Sequence, residues 1–418
     1  MESYIKDTNV TSAKIVWPFY AYAAFAFLCS CTLLFLKSSL LLGHYFQPSL
    51  LAITHTMAIA WATMIIIGAT LQLLPVLTNK QIEQTILAKY CFYLAGVSIP
   101  FLIHGFYYFV FGILFFCSAV VLIIAMFLFV WIIYATSKKT SIIQVEFILS
   151  ASFYLMLTIL VGFTLELNFT YTLLPVNSLV YLKLHAHLGI LGWFLFLIIG
   201  VGSKLIPMFF ISKYSNEFLL KIIYYTLHTS MLIFIFGQTF FNYRFVEYIS
   251  FIGFISVIGM FLYFVYSAFK YRIKKKLDWA MKAAPFSKMM LIIAVSIALF
   301  SLLKNNSSAM LGYGFVVFFG WISLLILGMT FKTLPFIMWN YKYAEPSSKV
   351  KNPKDLYSEF ILKLMLIFYV IGVVLTLVGI FLSLEIIVFL STALLLLASI
   401  LYVINVFKIL FVKPKLCS

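Results

Sequence analysis

Three stretches of the chain lie on one another without a gap: HTMAIAWATMIIIGATLQLLP from His55 to Pro75, HLGILGWFLFLIIGVGSKLIP from His187 to Pro207, and FVVFFGWISLLILGMTFKTLP from Phe315 to Pro335. Each carries tryptophan in the seventh column (Trp61, Trp193, Trp321), glycine in the fourteenth (Gly68, Gly200, Gly328) and proline in the twenty-first (Pro75, Pro207, Pro335). The residue before each tryptophan is small: Ala60, Gly192 and Gly320. A polar residue stands three places before each proline: Gln72, Lys204 and Lys332. Such agreement marks an internal repeat, and repeats set architecture before any single motif does.

Each stretch is also apolar for about 20 residues, enough to cross some 30 Å of hydrocarbon as a helix. Similar runs surround them, near 15–36, 50–76, 87–107, 110–136, 143–166, 184–211, 218–240, 247–269, 287–303, 310–339, 358–382 and 386–412. The repeated stretches are the second, sixth and tenth of these runs. The expected fold is therefore an all-α integral membrane protein of about twelve transmembrane helices. They form three parallel four-helix repeats, roughly 15–136, 143–269 and 287–412, around an axis along the membrane normal. Residues 1–418 read as a single transmembrane domain. The glycine column allows close helix approach, and the proline column sits where a helix would end or kink.

Composition agrees. Of 418 residues, 64% are hydrophobic and only 10% charged, against roughly 25% charged in soluble domains; the mean hydropathy is +1.11. The net charge of +17 would suit a nucleic-acid binder, but the lysines and arginines cluster in short segments between apolar runs. Alternate segments hold them: Lys6 and Lys14, Lys80 and Lys89, Lys138 and Lys139, Lys213 and Lys221, Lys270 to Lys282, Lys342 to Lys354, and Lys413 and Lys415. The other segments hold only Lys37, Lys183, Arg244 and Lys304. The positive-inside rule then predicts a multi-pass protein with both termini cytoplasmic, in a bacterial-type inner membrane. The lipid bilayer is the expected partner, not nucleic acid. The segment 341–357 reads as a solvated connector. Of the five cysteines, Cys29, Cys31, Cys91 and Cys117 fall in apolar runs and Cys417 near the end. None forms a C-x-x-C pair, so they read as small core residues.

Five of the six histidines, His44, His55, His104, His185 and His187, fall toward one membrane face; His228 lies mid-span. Ionisable residues inside a membrane are expensive and are functional candidates by default. His55 and His187 share the first column of the repeat. His185 and His187 form H-x-H, and two positions on a helix differ by about 200°, so their rings face different neighbours. Two helices can thus offer imidazoles to one haem iron from opposite sides. Trp61 and Trp193 are candidate porphyrin-packing residues. A second metal would draw on His44 and His104 with His185. Glu146 and Glu166 are the acidic residues nearest the membrane interior, both close to span ends.

Three parallel four-helix units, a histidine entering the second helix and an H-x-H on a repeated helix together resemble the haem–copper oxidase subunit I superfamily. In that family the second-helix histidine ligates a low-spin haem, which implies that role for His55. The H-x-H ligates haem, which implies iron-binding roles for His185 and His187. The chain departs from the family in three ways. Its H-x-H is on the sixth helix; the tenth has Tyr313 and Phe315 in those columns; and no His-His pair for copper exists. A looser resemblance is to the NnrS type, a haem- and copper-containing membrane protein linked to nitric-oxide stress. The implied function is a bis-histidine haem b redox protein of electron transfer or O2/NO chemistry, not a proton-pumping oxidase. Copper would be an additional cofactor. A cytochrome c-like or quinol electron donor and partner subunits would follow. Two rival readings remain open at this level: a cofactor-free transporter or permease, since repeats suit transporters, and an accessory subunit of a respiratory complex.

Overall fold

The computed structural model describes residues 11–174, 178–241, 244–304, 306–343, 350 and 352–411. Cys417, Lys6, Lys349, Lys351, Lys413, Lys415 and most of the connector lie outside the described residues. The chain is an all-α integral membrane protein. Twelve helices are long and apolar enough to cross a bilayer: α1 Ala13–Leu36, α2 Pro48–Thr78, α3 Thr85–Tyr108, α4 Ile113–Ser137, α5 Ile143–Tyr171, α6 Tyr181–Phe210, α7 Glu217–Phe240, α8 Phe245–Lys270, α9 Trp279–Leu303, α10 Ser307–Lys342, α11 Glu359–Leu382 and α12 Glu385–Phe411. A membrane admits little else, because every backbone N–H and C=O in hydrocarbon must be satisfied within the segment.

Most boundaries fall where the hydropathy places them. The break between α3 and α4 lies at Phe109, which adopts a left-handed backbone with φ 54°. Asn79, Lys139, Thr172, Ile211 and Ser383 do the same just after their helices. None is glycine, the usual residue for that conformation, so these ends carry no sequence signal. The largest difference is at α9. It begins at Trp279 rather than near 287, because the Asp278 side chain accepts a hydrogen bond from Met281 N and caps the helix. Lys282, expected in the loop, is therefore in its first turn. The prolines of the repeat end no helix at once: α2, α6 and α10 continue past Pro75, Pro207 and Pro335. Each proline removes one backbone N–H, a loss that transmembrane helices tolerate where neighbouring groups satisfy the freed carbonyl.

The helices fall into two compact units. One is drawn from residues 1–73, 99–110 and 277–418, the other from 74–98 and 111–276. In the first, the core is aromatic. Trp61 stacks on Phe27 at 4.6 Å and meets Tyr402 edge-on at 5.3 Å. Each polar tip in that core is satisfied: Trp61 Nε1 donates to Ser323 Oγ (3.0 Å), Tyr369 OH donates to Phe319 O (2.7 Å), and Tyr402 OH pairs with Thr330 Oγ1 (3.1 Å). Buried tyrosine and tryptophan need such partners. In the second unit, α5 packs along α6, and Trp193 sits edge-on to Phe129 at 6.1 Å.

The three repeated helices share a backbone anomaly. Each widens into π-helix directly after its first column: Thr56–Thr63 in α2, Leu188–Leu195 in α6 and Val316–Ile322 in α10. They also share one packing contact. A Cβ on Gly68 would lie 2.8 Å from Phe19 Cβ and 3.3 Å from Val16 O. On Gly200 it would lie 2.6 Å from Phe147 Cβ and 3.2 Å from Gln144 O; on Gly328, 2.5 Å from Ala280 O and 2.7 Å from Ala283 Cβ. In each copy the glycine receives a carbonyl and, three residues on, a Cβ of its own repeat's opening helix (α1, α5 or α9). Only glycine tolerates that approach.

Candidate functional site

The first-column histidines stand at the end of regular α-helix, one step before the π turn. His55 Nδ1 donates to Leu51 O at 2.8 Å, and its ring stacks on Phe106 of α3 with centroids 4.2 Å apart. His187 Nδ1 donates to Lys183 O at 2.9 Å, and its ring lies against Phe234 of α7 at 5.5 Å. Both bonds run back four residues to a carbonyl. A carbonyl can only accept, so the proton is on Nδ1 and the lone pair on Nε2. That is the tautomer in which histidine binds iron, with the Nδ1 bond fixing ring orientation.

His185 faces elsewhere, as the spacing predicts. Its Nδ1 donates to Thr158 O of α5 at 2.9 Å. Its ring lies flat on Gly162, where a Cβ would come within 2.8 Å of Cε1. One histidine of the H-x-H is thus pressed on α5 and the other turned toward α7.

A charged cluster adjoins His187. Lys183 Nζ, on the residue whose carbonyl holds that ring, forms an ion pair with Glu247 Oε1 of α8 at 2.6 Å. The buried Gln238 of α7 donates from Nε2 to the same oxygen at 2.8 Å. Pairing lowers the cost of holding both charges near the hydrocarbon. Gln238 carries no sequence signal, and Glu247, three residues after Arg244, reads in the sequence as a local pair at the span edge.

The other predicted site residues fall apart from this arrangement. Trp61 and Trp193 are fully buried packing aromatics in the cores described above, each six residues along from its histidine. His44 is exposed in the turn before α2, where its Nδ1 accepts from Phe46 N at 3.1 Å. His104 is exposed on α3 against Tyr108, at 4.7 Å. Among the described residues no three His, Cys, Asp or Glu side chains gather into a metal-sized group. Haem iron requires only imidazole nitrogens beside its porphyrin.

His228, mid-span on α7, has more structure around it than its isolation in the sequence suggests. Its Nδ1 is 3.2 Å from Tyr154 OH and its Nε2 is 3.1 Å from Ser150 Oγ, which in turn is 2.9 Å from Tyr224 OH. These partners lie 74 and 78 residues away, beyond any local pattern. No protein-family model matches the chain, and no curated protein matches it.

Proposed function

We propose that the chain is a membrane haem-binding redox protein in which His55 and His187 would each offer an imidazole nitrogen to haem iron within its own unit. The observation that carries this reading is the shared state of the two rings. They occupy one repeat column, each is fixed by Nδ1 on the carbonyl four residues back, and each has its lone pair on Nε2. The donor set fits haem: imidazole nitrogens in an aromatic, apolar surround, with Phe106 and Phe234 beside the rings. When bound, haem b would supply reversible one-electron chemistry. The chain's own residues hold the imidazoles in one tautomer and keep water away through the surrounding apolar helices. The Lys183–Glu247 pair adds a local charge arrangement beside His187, and such outer contacts tune a bound iron. The distribution of lysines supports cytoplasmic termini, and a cytochrome c-like protein or a quinol is the electron donor that fits a membrane haem.

The test is a reduced-minus-oxidised optical spectrum with haem and copper quantified per chain, on protein expressed with ample haem. Wild type is expected to show a low-spin b-type spectrum that His55→Ala and His187→Ala each diminish or abolish. A haem-free wild type, or full haem retention by both variants, would overturn the reading.

A further inference from the structure

The segments that leave α6 and α8 are paired through their backbones. Helix α6 stops at Phe210, and Ile211 turns left-handed with φ 51°. Ser212 N donates to Pro207 O at 2.9 Å and closes that turn. The chain beyond α8 then runs antiparallel to it. Ser212 bridges Arg272, Ile273 N donates to Ile211 O at 3.2 Å, and Lys274 N donates to Phe210 O at 3.3 Å. The positive-inside rule counts charge and asks nothing of conformation, so it does not account for this pairing. Aromatic rings seat the pair. Phe210 meets Phe269 edge-on at 5.6 Å, and Tyr214 meets Phe264 edge-on at 5.3 Å and stacks on Tyr271 at 6.1 Å. Tyrosines collect at headgroup level, where one end of the ring is apolar and the other wet. The Arg272 guanidinium lies over the Phe269 ring, 3.6 Å from its centroid, and Nη1 donates to Phe269 O at 2.8 Å. Its Nε has no acceptor among the described residues. The surface so built is basic and apolar at once. Lys213, Lys270, Arg272, Lys274, Lys275 and Lys276 bring six cations, and neither 205–216 nor 248–277 contains an acidic residue. Between them the opposed Ile211 and Ile273 are 56% and 62% exposed.

We infer that the paired segments form a binding site for the headgroup of an acidic phospholipid. Arg272, Lys213 and Lys274 meet its phosphate, and Ile211 and Ile273 meet the upper part of its acyl chains. Cations gathered at the end of a transmembrane helix attract anionic headgroups. An arginine adds a planar fork of donors that matches phosphate geometry. The Phe269 ring and carbonyl already restrict Arg272, so little side-chain freedom is left to lose on binding. The isoleucines select a lipid over a free anion. Inorganic phosphate has nothing to lay on them, whereas an acyl chain removes them from water. Lys138 and Lys139, in the turn after α4, are the comparison within the same unit: they are exposed cations at the same membrane face. Lys138 has only the Tyr134 ring beneath its ammonium, at 5.1 Å. Neither haem nor histidine takes part in the lipid site.

The experiment is native mass spectrometry of the detergent-purified full chain, titrated with phosphatidylglycerol or with phosphatidylcholine of the same acyl chains. Wild type is expected to retain phosphatidylglycerol well ahead of phosphatidylcholine. A cation beside an anionic headgroup is worth roughly fivefold in binding. Arg272→Gln combined with Lys274→Gln should therefore lower phosphatidylglycerol affinity by roughly twenty-fivefold. Lys213→Gln combined with Lys275→Gln leaves the Arg272–Phe269 contact in place and should lower it to a similar extent, so the test holds even where Arg272 is needed for folding. Lys138→Gln combined with Lys139→Gln removes the same charge elsewhere and should leave the affinity nearly unchanged. Inorganic phosphate in large excess should displace little of the lipid. Each variant is compared only as protein that elutes monodisperse with the wild-type helical circular dichroism. Equal retention of the two lipids by wild type would overturn the inference. Equal losses in the site variants and the Lys138 and Lys139 variant would do the same, by reducing the effect to net charge. Complete displacement by inorganic phosphate would overturn the assignment to a lipid.

Discussion

Helices α2 and α6 differ from α10 in one respect that matters. All three widen into a π turn after the first column, carry tryptophan six residues on, and bury a glycine against the helix that opens their repeat. Yet α2 and α6 place His55 and His187 in that first column, whereas α10 places Phe315, which is buried and stacks on Phe319 at 5.1 Å. A π turn is often taken as a mark of function. Here it persists where no imidazole exists, so it belongs to the scaffold. The histidines are the variable part, and the chemistry must be argued from them.

The sharpest way to break this comparison is to convert one copy into another. His187→Phe gives the second copy the first-column residue of the third. If scaffold and chemistry are separable, the variant folds, because α10 already builds the same turn around phenylalanine. Haem content per chain should fall, while the unfolding midpoint in mixed detergent–SDS micelles moves little. Loss of folding together with haem would mean that His187 is part of the scaffold after all.

How much of this was open to sequence reading follows from the range of each signal. The twelve spans are legible because hydrophobic length is a local quantity, and the repeat because its three marker residues are large, small and rigid in fixed columns. The opposed rings of His185 and His187 follow from helical geometry alone. The start of α9 was hidden by Lys282, Pro285 and Lys288, which look like loop residues until the Asp278 cap is seen. The Nδ1 bonds of His55 and His187 could have been expected from any histidine four residues after an available carbonyl. The network at His228 could not, since its partners sit on another helix.

A second contrast concerns the column three places before the proline. Lys204 of the second copy is exposed. Lys332 of the third is nearly buried, its side chain 12% exposed, and is paired with Asp278, itself 10% exposed. Snorkelling to the interface describes the exposed Lys204 and not the paired Lys332. Removing one member of a buried pair strands the other charge, at a cost of about 3–5 kcal/mol. Lys332→Met should therefore destabilise strongly, whereas Lys204→Met should change stability by less than about 0.5 kcal/mol. Equal effects on the SDS unfolding midpoint would erase the distinction.

The glycine column separates the copies more finely. An alanine at Gly200 meets Phe147 Cβ at 2.6 Å, and one at Gly68 meets Phe19 Cβ at 2.8 Å; an alanine at Gly328 meets the backbone oxygen of Ala280 at 2.5 Å. A Cβ, like a carbonyl, moves only with its helix, so no side-chain rotation relieves these contacts, and the shortest is at Gly328. Each substitution should cost about 1–3 kcal/mol, the range for overpacking, with Gly328→Ala at the upper end. Unfolding midpoints for the three single variants give the ranking directly.

The smallest effect has the opposite sign. Gly314 lies within α10, one residue before Phe315, where the first copy has Thr54 and the second Ala186. A Cβ built there meets nothing within 4 Å, and its backbone is ordinary helix. The contact that forbids alanine at Gly328 is thus absent fourteen residues earlier on the same helix. Glycine in a helix interior costs roughly 0.5–1 kcal/mol relative to alanine, because it has more freedom to lose on folding. Gly314→Ala should therefore raise the unfolding midpoint slightly, by an amount of that order, with haem content unchanged. Destabilisation instead would place a close neighbour at Gly314 in the membrane-embedded protein and extend the tight packing of α10 up to its first column.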